Sequence, residues 1–287
     1  MKIGIMTDVN SGLDYVEYPY DIKVLRSSVN MNGKVYIDGI DIRADEFYEK
    51  LGKVENKEDI PSTSAPALGD IYDLFDYYVE NGYTDIIHFP ISFSLSATGS
   101  TVTQVAEEYK DKMNIIVINT KTACYSQGYL AVNAAKMASE GATVEEIVER
   151  SNFLINNMSL YFAVDSLDYL VKNGRLSGAS GLIGNLLKIK PILHLNEEGK
   201  IVQSEKIKTT KKARQRLVEL ISEFIKDNKD VKVMIFHAAA LEAATELKQL
   251  INEVRPDIED VEIHYVTPAV GAHIGCGVAG IGVFKLS

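Results

Sequence analysis

The chain has 287 residues, 46% of them hydrophobic and 24% charged, and a formal net charge of −10 at pH 7. This composition is typical of a globular protein rather than a disordered one, and the length allows two domains or one large one. The negative charge argues against a nucleic-acid-binding surface, because neutralising phosphates requires clustered lysine and arginine.

The sequence also argues against a secreted or membrane-embedded protein. Its two cysteines, Cys124 and Cys276, form neither a metal-binding pair nor a disulfide framework, which fits a reducing compartment. The first residues, MKIGIMTD, have a strand pattern and no apolar stretch of the signal-peptide type. No apolar run approaches the length of a membrane span. We therefore expect a cytoplasmic protein.

Short apolar runs alternate with amphipathic stretches along the chain. The runs predicted to be buried strands are KIGIMTD, TDIIHFP, NIIVINT, LYFAVDS, VKVMIFHA and VEIHYVTP. Between the first two, DIYDLFDYYVENG has helical periodicity with its apolar side chains on one face, and Gly82 ends it. Strands that alternate with helices predict an α/β fold around a mostly parallel sheet.

The second half of the chain continues this pattern. A capping box at Thr143 and Glu146 predicts the start of one helix, and another is expected from about Lys211 to Asp227. KPILHL and KIVQSEKIK, separated by NEEG, predict a β-hairpin. Because the composition changes near residues 155–165, we expect two α/β domains, residues 1–158 and 159–287.

A cluster of hydroxyl side chains, ISFSLSATGST, follows the strand TDIIHFP. In open α/β sheets ligands bind beyond the carboxyl ends of the strands, and the start of the next helix favours an anion. Helix capping is the alternative, but the segment has more hydroxyls than a cap requires. The cluster therefore predicts an anion-binding site.

A second cluster occurs in IPSTSAPALGD, where Ser62, Thr63 and Ser64 precede a helix expected to start near Leu68. A turn or a cap would explain this cluster if it stood alone. Two such clusters in one chain favour a shared, small anionic ligand.

A third segment, TPAVGAHIGCGVAGIGV, contains a G-x-G-x-x-G spacing at Gly275, Gly277 and Gly280. A dinucleotide site needs a helix and a second strand after this motif, so we expect the match to be coincidental. We interpret the glycines as allowing close backbone approach around His273, in a loop before a final strand, GIGVFKL. These residues alone leave open whether His273 is structural or contacts a ligand.

Patterns of the common catalytic machineries are absent from the sequence. It contains neither G-x-S-x-G nor a P-loop, and its histidines show no metal-binding spacing, so we expect no metal site. Serines, His273 and acids such as Asp8 and Asp165 still leave a serine hydrolase as an alternative.

Several segments together resemble the DegV family of bacterial fatty-acid-binding proteins, which includes the binding subunits of fatty acid kinases. These segments are IMTDVNSGL, IPSTSAPALGD, GYTDIIHFPISFSLSAT, LDYLVKNGRLSG, LLKIKPILHLNEEGKI and VGAHIGCGVAGIGV. They extend over nearly the whole chain, and their order and combination are specific. The resemblance implies two α/β domains, the first with a mostly parallel sheet flanked by helices, and a fatty acid held between them.

The resemblance also implies the site. Thr63 and Ser96 would hold the carboxylate, and the neighbouring hydroxyls would be those of Ser62, Ser64 and Ser92. His273, in the family's G-x-H loop, and Arg175, in KNGRLS, would lie at or near the head group. Apolar residues named as possible tail contacts are Ile91, Leu95, Leu182, Ile183, Leu186, Leu187 and Ile189.

Three segments depart from the family pattern, the first of them at Ala97 and Gly99. LSATG stands where LSGTY is usual, Cys276 replaces the proline of a GPG loop, and KIKT has Lys208 where KVRT has arginine. Lysine lacks the planar two-pronged geometry of arginine. If Lys208 contacts the head group or a partner, that contact is the one most altered.

The function implied by the resemblance is lipid transport without catalysis. The chain would bury the tail of a long-chain fatty acid such as palmitate or oleate, need no cofactor, and present the carboxylate to a separate fatty acid kinase catalytic subunit. The alternative is a serine esterase or thioesterase in which Ser96 and His273 form the catalytic pair. A regulatory sensor or a binder of small phosphates is a third interpretation.

Overall fold

A computed structural model describes residues 2–177 and 189–287 of the protein. Four of the expected tail contacts, Leu182, Ile183, Leu186 and Leu187, lie outside the described residues. The described strands are β1 (Ile3–Asp8), β2 (Ile22–Leu25), β3 (Ser28–Met31), β4 (Lys34–Ile37), β5 (Ser62–Ser64), β6 (Asp85–Phe89), β7 (Asn114–Val117), β8 (Met158–Ala163), β9 (Lys190–Leu195), β10 (Ile201–Ile207), β11 (Val231–Ala238), β12 (Val261–Tyr265) and β13 (Val278–Lys285). The described helices are α1 (Ala44–Leu51), α2 (Leu68–Glu80), α3 (Thr98–Ala106), α4 (Cys124–Ser139), α5 (Val144–Asn156), α6 (Asp168–Lys172), α7 (Thr210–Ile225), α8 (Leu241–Val254) and α9 (Pro268–Ile274).

The first sheet is parallel throughout and has the strand order β2-β1-β6-β7. All five residues of β6 are buried, as expected for a strand covered on both faces. Ile86 packs with α2 and α3 on one face, whereas Ile87 packs towards α4 on the other. The prediction of a mostly parallel sheet flanked by helices is confirmed for this part of the chain.

The second sheet has six strands in the order β10-β9-β8-β13-β11-β12, and of these pairs only β11 and β12 are parallel in the described chain. The expected hairpin is present as β9 and β10, with Leu195 opposite Ile201. A short connection forces its two strands to be antiparallel, so a parallel sheet does not extend here. Helices α7 and α8 cover one face of this sheet.

A third sheet, β4-β3-β5, is small and antiparallel, and the sequence analysis did not anticipate it. Asn32 and Gly33, which connect β3 to β4, are an Asn-Gly pair with positive φ, the strongest short signal for a hairpin. The second hydroxyl cluster forms β5, where Thr63 pairs with Val29 of β3. Helix α2 begins only at Leu68 and has no side-chain cap, so this cluster does not cap it.

Several helix predictions are confirmed. Helix α2 ends just before Gly82, which has a φ of 71°, and α5 begins with the capping box of Thr143 and Glu146. The region around His273, however, is not the expected loop but the short helix α9. Thr267 caps this helix and proline follows at its first position, a favoured combination for starting a helix.

Helix α4 joins the two large sheets. It contacts β1 and β6 of the first sheet and β11 of the second, and its small buried residues Ala131 and Ala134 allow close approach. β8, the first strand of the six-stranded sheet, begins at Met158. A domain boundary at residue 158 stays a prediction. In the described ranges, no helix has both the length and the apolar character needed to cross a membrane.

Candidate functional site

A cavity of about 250 Å³ lies between the loops of the first sheet, the small sheet, the six-stranded sheet and α9. Most of its wall is apolar, and the six-stranded sheet contributes Leu160, Phe162, Leu195, Ile201 and Phe236 to it. Ser64 and Ala97 line the cavity and are also exposed. The cavity therefore opens to solvent where the two hydroxyl clusters lie.

Thr63 and His273, 210 positions apart in the chain, meet at this cavity. Thr63 Oγ1 lies 2.8 Å from His273 Nε2, and which atom donates depends on the imidazole tautomer. Strand β5 positions the hydroxyl, and the last turn of α9 positions the ring. Burial, and secondarily the positive charge of Arg175, lower the pKa of His273 to about 4, so the ring is neutral at pH 7.

Ser96 lines the same cavity from the loop that follows β6. Its Oγ accepts the Thr98 N–H at 3.2 Å and lies 2.9 Å from Thr98 Oγ1. The Ser96 hydroxyl therefore makes a local hydrogen bond next to the start of α3, whose N-cap residue Ala97 provides no side-chain cap, and it also lines the cavity. A role of Ser96 in ligand binding stays a prediction.

The buried carboxylate of Asp8 fixes the loops that carry these groups. It accepts hydrogen bonds from the Ile91 N–H at 2.8 Å, the Asn10 N–H at 3.0 Å and the Asn10 side chain at 2.7 Å. Burial raises the pKa of Asp8, although these hydrogen bonds act in the opposite direction. Asp8 therefore ties the carboxyl end of β1 to that of β6 beside the cavity.

Asn10 and Ser27 also line the cavity, and the sequence analysis missed both. Asn10 comes two residues after the end of β1. The rule that located the hydroxyls after β6, binding beyond the carboxyl ends of parallel strands, applies equally to this position. Ser27 lies between β2 and β3, and no comparable sequence signal identifies it.

Arg175 is the one permanently charged residue among the described lining residues. Its Nε donates to the Leu95 carbonyl at 3.3 Å, and a second nitrogen donates to the Asn173 carbonyl. Asn173 in turn donates to the carbonyls of Pro61 at 3.2 Å and Ala272 at 3.1 Å. These contacts place the guanidinium group near both hydroxyl clusters.

Three residues expected at the site are not in the cavity wall. Ser62 is exposed and does not line the cavity, whereas Thr63 and Ser64 of the same strand do. Ser92 is completely buried, and its Oγ donates to the Gly199 carbonyl at 2.8 Å. Lys208 is exposed between β10 and α7.

Ser94 has the same structural role as Ser92. Ser94 Oγ donates to the Glu198 carbonyl at 2.8 Å, so both hydroxyls hold the tip of the β9–β10 hairpin against the loop after β6. Among the described tail contacts, Ile91 and Leu95 line the cavity and Ile189 does not. Part of the first hydroxyl cluster is therefore structural.

The geometry does not assemble a serine hydrolase site. The hydrogen bonds of Ser96 go to Thr98, and His273 Nε2 contacts Thr63. His273 Nδ1, which a catalytic carboxylate would contact, is buried and has no hydrogen-bond partner in the described ranges. The expected pairing of Ser96 with His273 as nucleophile and base is not formed.

Comparison with known proteins gives consistent matches over the full length. A family model described as "Uncharacterised protein, DegV family" matches residues 2–286. A DegV domain-containing protein of Listeria innocua is 34% identical over 281 residues, which are 98% of this chain and 97% of that protein. One from Staphylococcus aureus strain N315 is 34% identical over 283 residues, 98% of each chain.

Solved structures agree with these matches. The fatty acid binding DegV family protein of Streptococcus agalactiae is similar with a TM-score of 0.90 and 33% identity, covering 99% of each chain. DegV of Bacillus subtilis, described as a fatty acid binding protein, is similar with a TM-score of 0.85 and 29% identity, also covering 99% of each chain. The chain therefore belongs to the DegV family.

Proposed function

We propose that this protein binds a long-chain fatty acid, with the acyl tail in the apolar cavity and the carboxylate at the hydroxyl groups of Thr63 and Ser96. The observation that carries the proposal is the cavity itself, whose apolar wall ends at an opening where both hydroxyl clusters meet. The similar proteins of S. agalactiae and B. subtilis, both described as fatty acid binding, support the same ligand.

The hydrogen bonds of the two hydroxyls leave each with a proton for the ligand. If the neutral His273 ring carries its hydrogen on Nε2, it donates to Thr63 Oγ1 and the Thr63 O–H is free to donate to a carboxylate. If the Thr98 hydroxyl donates to Ser96 Oγ, which also accepts the Thr98 N–H, the Ser96 O–H is free in the same way. Arg175 supplies positive charge at this end of the cavity.

The acyl tail and the head group would contribute differently to the binding free energy. Burying an acyl tail contributes about 0.8 kcal/mol per CH₂, or on the order of 10 kcal/mol for about 15 such groups. A hydrogen bond to a charged group contributes about 1.5–3 kcal/mol. The tail then supplies most of the affinity, while the hydroxyls orient the ligand and keep its carboxylate from being buried unpaired.

The proposal includes a carrier role without catalysis. The cavity opens at its polar end, which is where a carboxylate would face a partner. A separate kinase catalytic subunit would then phosphorylate the presented carboxylate. Lys208 is exposed and available for such a contact, but it lies outside the cavity wall.

The first test is recovery of the ligand. Native mass spectrometry of the purified protein should show a co-purified mass of about one fatty acid, or binding of added oleate or palmitate. Recovery of a sugar phosphate, or no binding of either fatty acid, would contradict the proposal. So would ester hydrolysis that is lost in Ser96→Ala, because that outcome identifies an esterase.

The second test is Thr63→Val, which removes the hydroxyl while keeping the shape of the side chain. We expect oleate affinity to fall at least about tenfold, as the loss of one hydrogen bond to a charged group implies. Affinity for methyl oleate, which has no carboxylate, should change much less. The matched control is Ser62→Ala, at an exposed residue of β5 that does not line the cavity, which should bind oleate as the unaltered protein does.

A further inference from the structure

Asp38 is a completely buried carboxylate that the proposed function does not use. It directly follows β4, and its Oδ2 accepts the Ala269 N–H of α9 at 2.7 Å, across 231 positions of the chain. Its Oδ1 has no hydrogen-bond partner in the described part of the chain. Burying a carboxylate costs free energy, so we expect the Asp38 side chain to make a specific contact.

The Asp38 carboxylate accepts the first backbone N–H that α9 provides. Pro268 occupies the first position of the helix and has no N–H, so Ala269 supplies the first one. The N–H of Val270 is 3.5 Å from the Thr267 hydroxyl, a long cap. Asp38 therefore makes the shorter hydrogen bond at the start of this helix.

The other end of α9 is tied to the same small sheet. His273, in the last turn, contacts Thr63 of β5, and β5 and β4 flank β3 on its two sides. A helix of this length spans about 10 Å, so one hydrogen bond lies at each end of it. The backbone N–H of Asp38 also donates to the carbonyl of Ser27, a cavity-lining residue, at 3.0 Å.

The positively charged side chain near Asp38 does not form an ion pair with its carboxylate. The nearest cation, Arg26, forms an ion pair with Asp14 and reaches only the backbone carbonyl of Asp38, at 3.4 Å. The hydroxyls of Tyr15 and Tyr48 face the same region and are engaged with Ala44 and Val266. Burial, with a smaller contribution from Asp14, raises the pKa of Asp38 to about 7.

We propose that Asp38 is a positioning residue that holds α9 on the small sheet, so that His273 stays in contact with Thr63 at the mouth of the cavity. This inference rests on the proposed function for its effect on ligand binding. Its structural part, the attachment of α9 by Asp38, is independent of the ligand.

The test compares two variants of similar shape. Asp38→Asn keeps an oxygen that can accept the Ala269 N–H, whereas Asp38→Leu has no acceptor. We expect Asp38→Leu to weaken oleate binding at least about tenfold and Asp38→Asn to retain affinity within about threefold of the unaltered protein. Asp41→Asn is the matched control. Asp41 also follows β4, and its carboxylate accepts the Ile37 N–H of that strand but makes no hydrogen bond to α9.

A second measurement follows His273 and the helix without ligand. NMR titration should move the His273 midpoint from about 4 towards 6.5 in Asp38→Leu, because a displaced ring is less buried. Hydrogen exchange at Ala269 should be slow in the unaltered protein. Fast exchange there overturns the inference whether or not Asp38→Leu folds.

The outcomes separate the two proposals. Equal oleate affinity and an unchanged His273 midpoint in Asp38→Leu would overturn the role of Asp38 while leaving fatty acid binding intact. If the unaltered protein binds no fatty acid, the proposed function fails. The His273 midpoint and the Ala269 exchange rate then still decide whether Asp38 positions α9.

Discussion

At the residue scale, His273 combines burial with one hydrogen-bond partner among the described residues. Its Nε2 contacts the Thr63 hydroxyl, and the nearby guanidinium of Arg175 disfavours protonation of the ring. A neutral imidazole would suit the proposed carboxylate site, because it can orient the Thr63 O–H without changing charge near pH 7. Arg175 then provides the positive charge.

This residue should make stability depend on pH. The pKa of His273 is about 4 in the folded protein against 6.5 for an ordinary histidine, so the unfolded chain binds more protons between these values. The free energy of unfolding should therefore fall as the pH drops from about 6.5 to about 4. Urea unfolding of His273→Gln should show a shallower fall than the unaltered protein. An equal pH dependence in both would contradict the prediction.

At the scale of elements, the β9–β10 hairpin closes one side of the cavity, and its tip depends on Gly199. This residue has a φ of 72°, and a Cβ atom there would lie 2.1 Å from Ser92 Oγ and 2.8 Å from the Lys121 Cα. Leu195 and Ile201, on either side of the tip, line the cavity. The position requires glycine for its backbone conformation and for space.

Gly199→Ala should therefore destabilise the protein by more than backbone strain alone. A positive φ costs an L-residue about 1 kcal/mol, and the contact with Lys121 backbone should add about 1–3 kcal/mol. Gly33→Ala separates the two effects, since Gly33 has a φ of 73° in another hairpin and open space around it. Chemical denaturation of both variants measures the difference, and equal losses would show that space at Gly199 is not limiting.

At the scale of the whole molecule, the cavity wall is shared. The loops of the first sheet, the small sheet with α9, and the inner face of the six-stranded sheet all contribute to it. A ligand in the cavity would then contact parts of the fold that are far apart in the chain. Its binding free energy should stabilise these parts together.

Oleate at about 100 times its dissociation constant should raise the free energy of unfolding by about 2.7 kcal/mol. Hydrogen exchange should slow both in the loop after β6 and in β13, because each supplies part of the wall. Thr63→Val should show a smaller gain at the same oleate concentration. Protection confined to one sheet would argue against a ligand held between them.

Local sequence patterns were sufficient to predict much of the fold and part of the candidate site. The buried run of β6, the capping box at Thr143, the β9–β10 hairpin and the hydroxyls after β6 all depend on side chains close in sequence, whose periodicity or spacing is visible without a partner. The motif resemblance added the pairing of the two hydroxyl clusters. Thr63 and Ser96 do line one cavity, although their role there is still a proposal.

The remaining features of the fold and the site depend on pairing between segments that are distant in the chain. Only the pairing of β5 with β3 brings Thr63 to the cavity wall, and only the hairpin tip at Gly199 engages Ser92. The antiparallel second sheet and the bond from Asp38 to α9 likewise depend on partners far along the chain. A hydrogen bond between remote residues leaves no periodic trace in either segment, so it becomes visible only when the chain is folded.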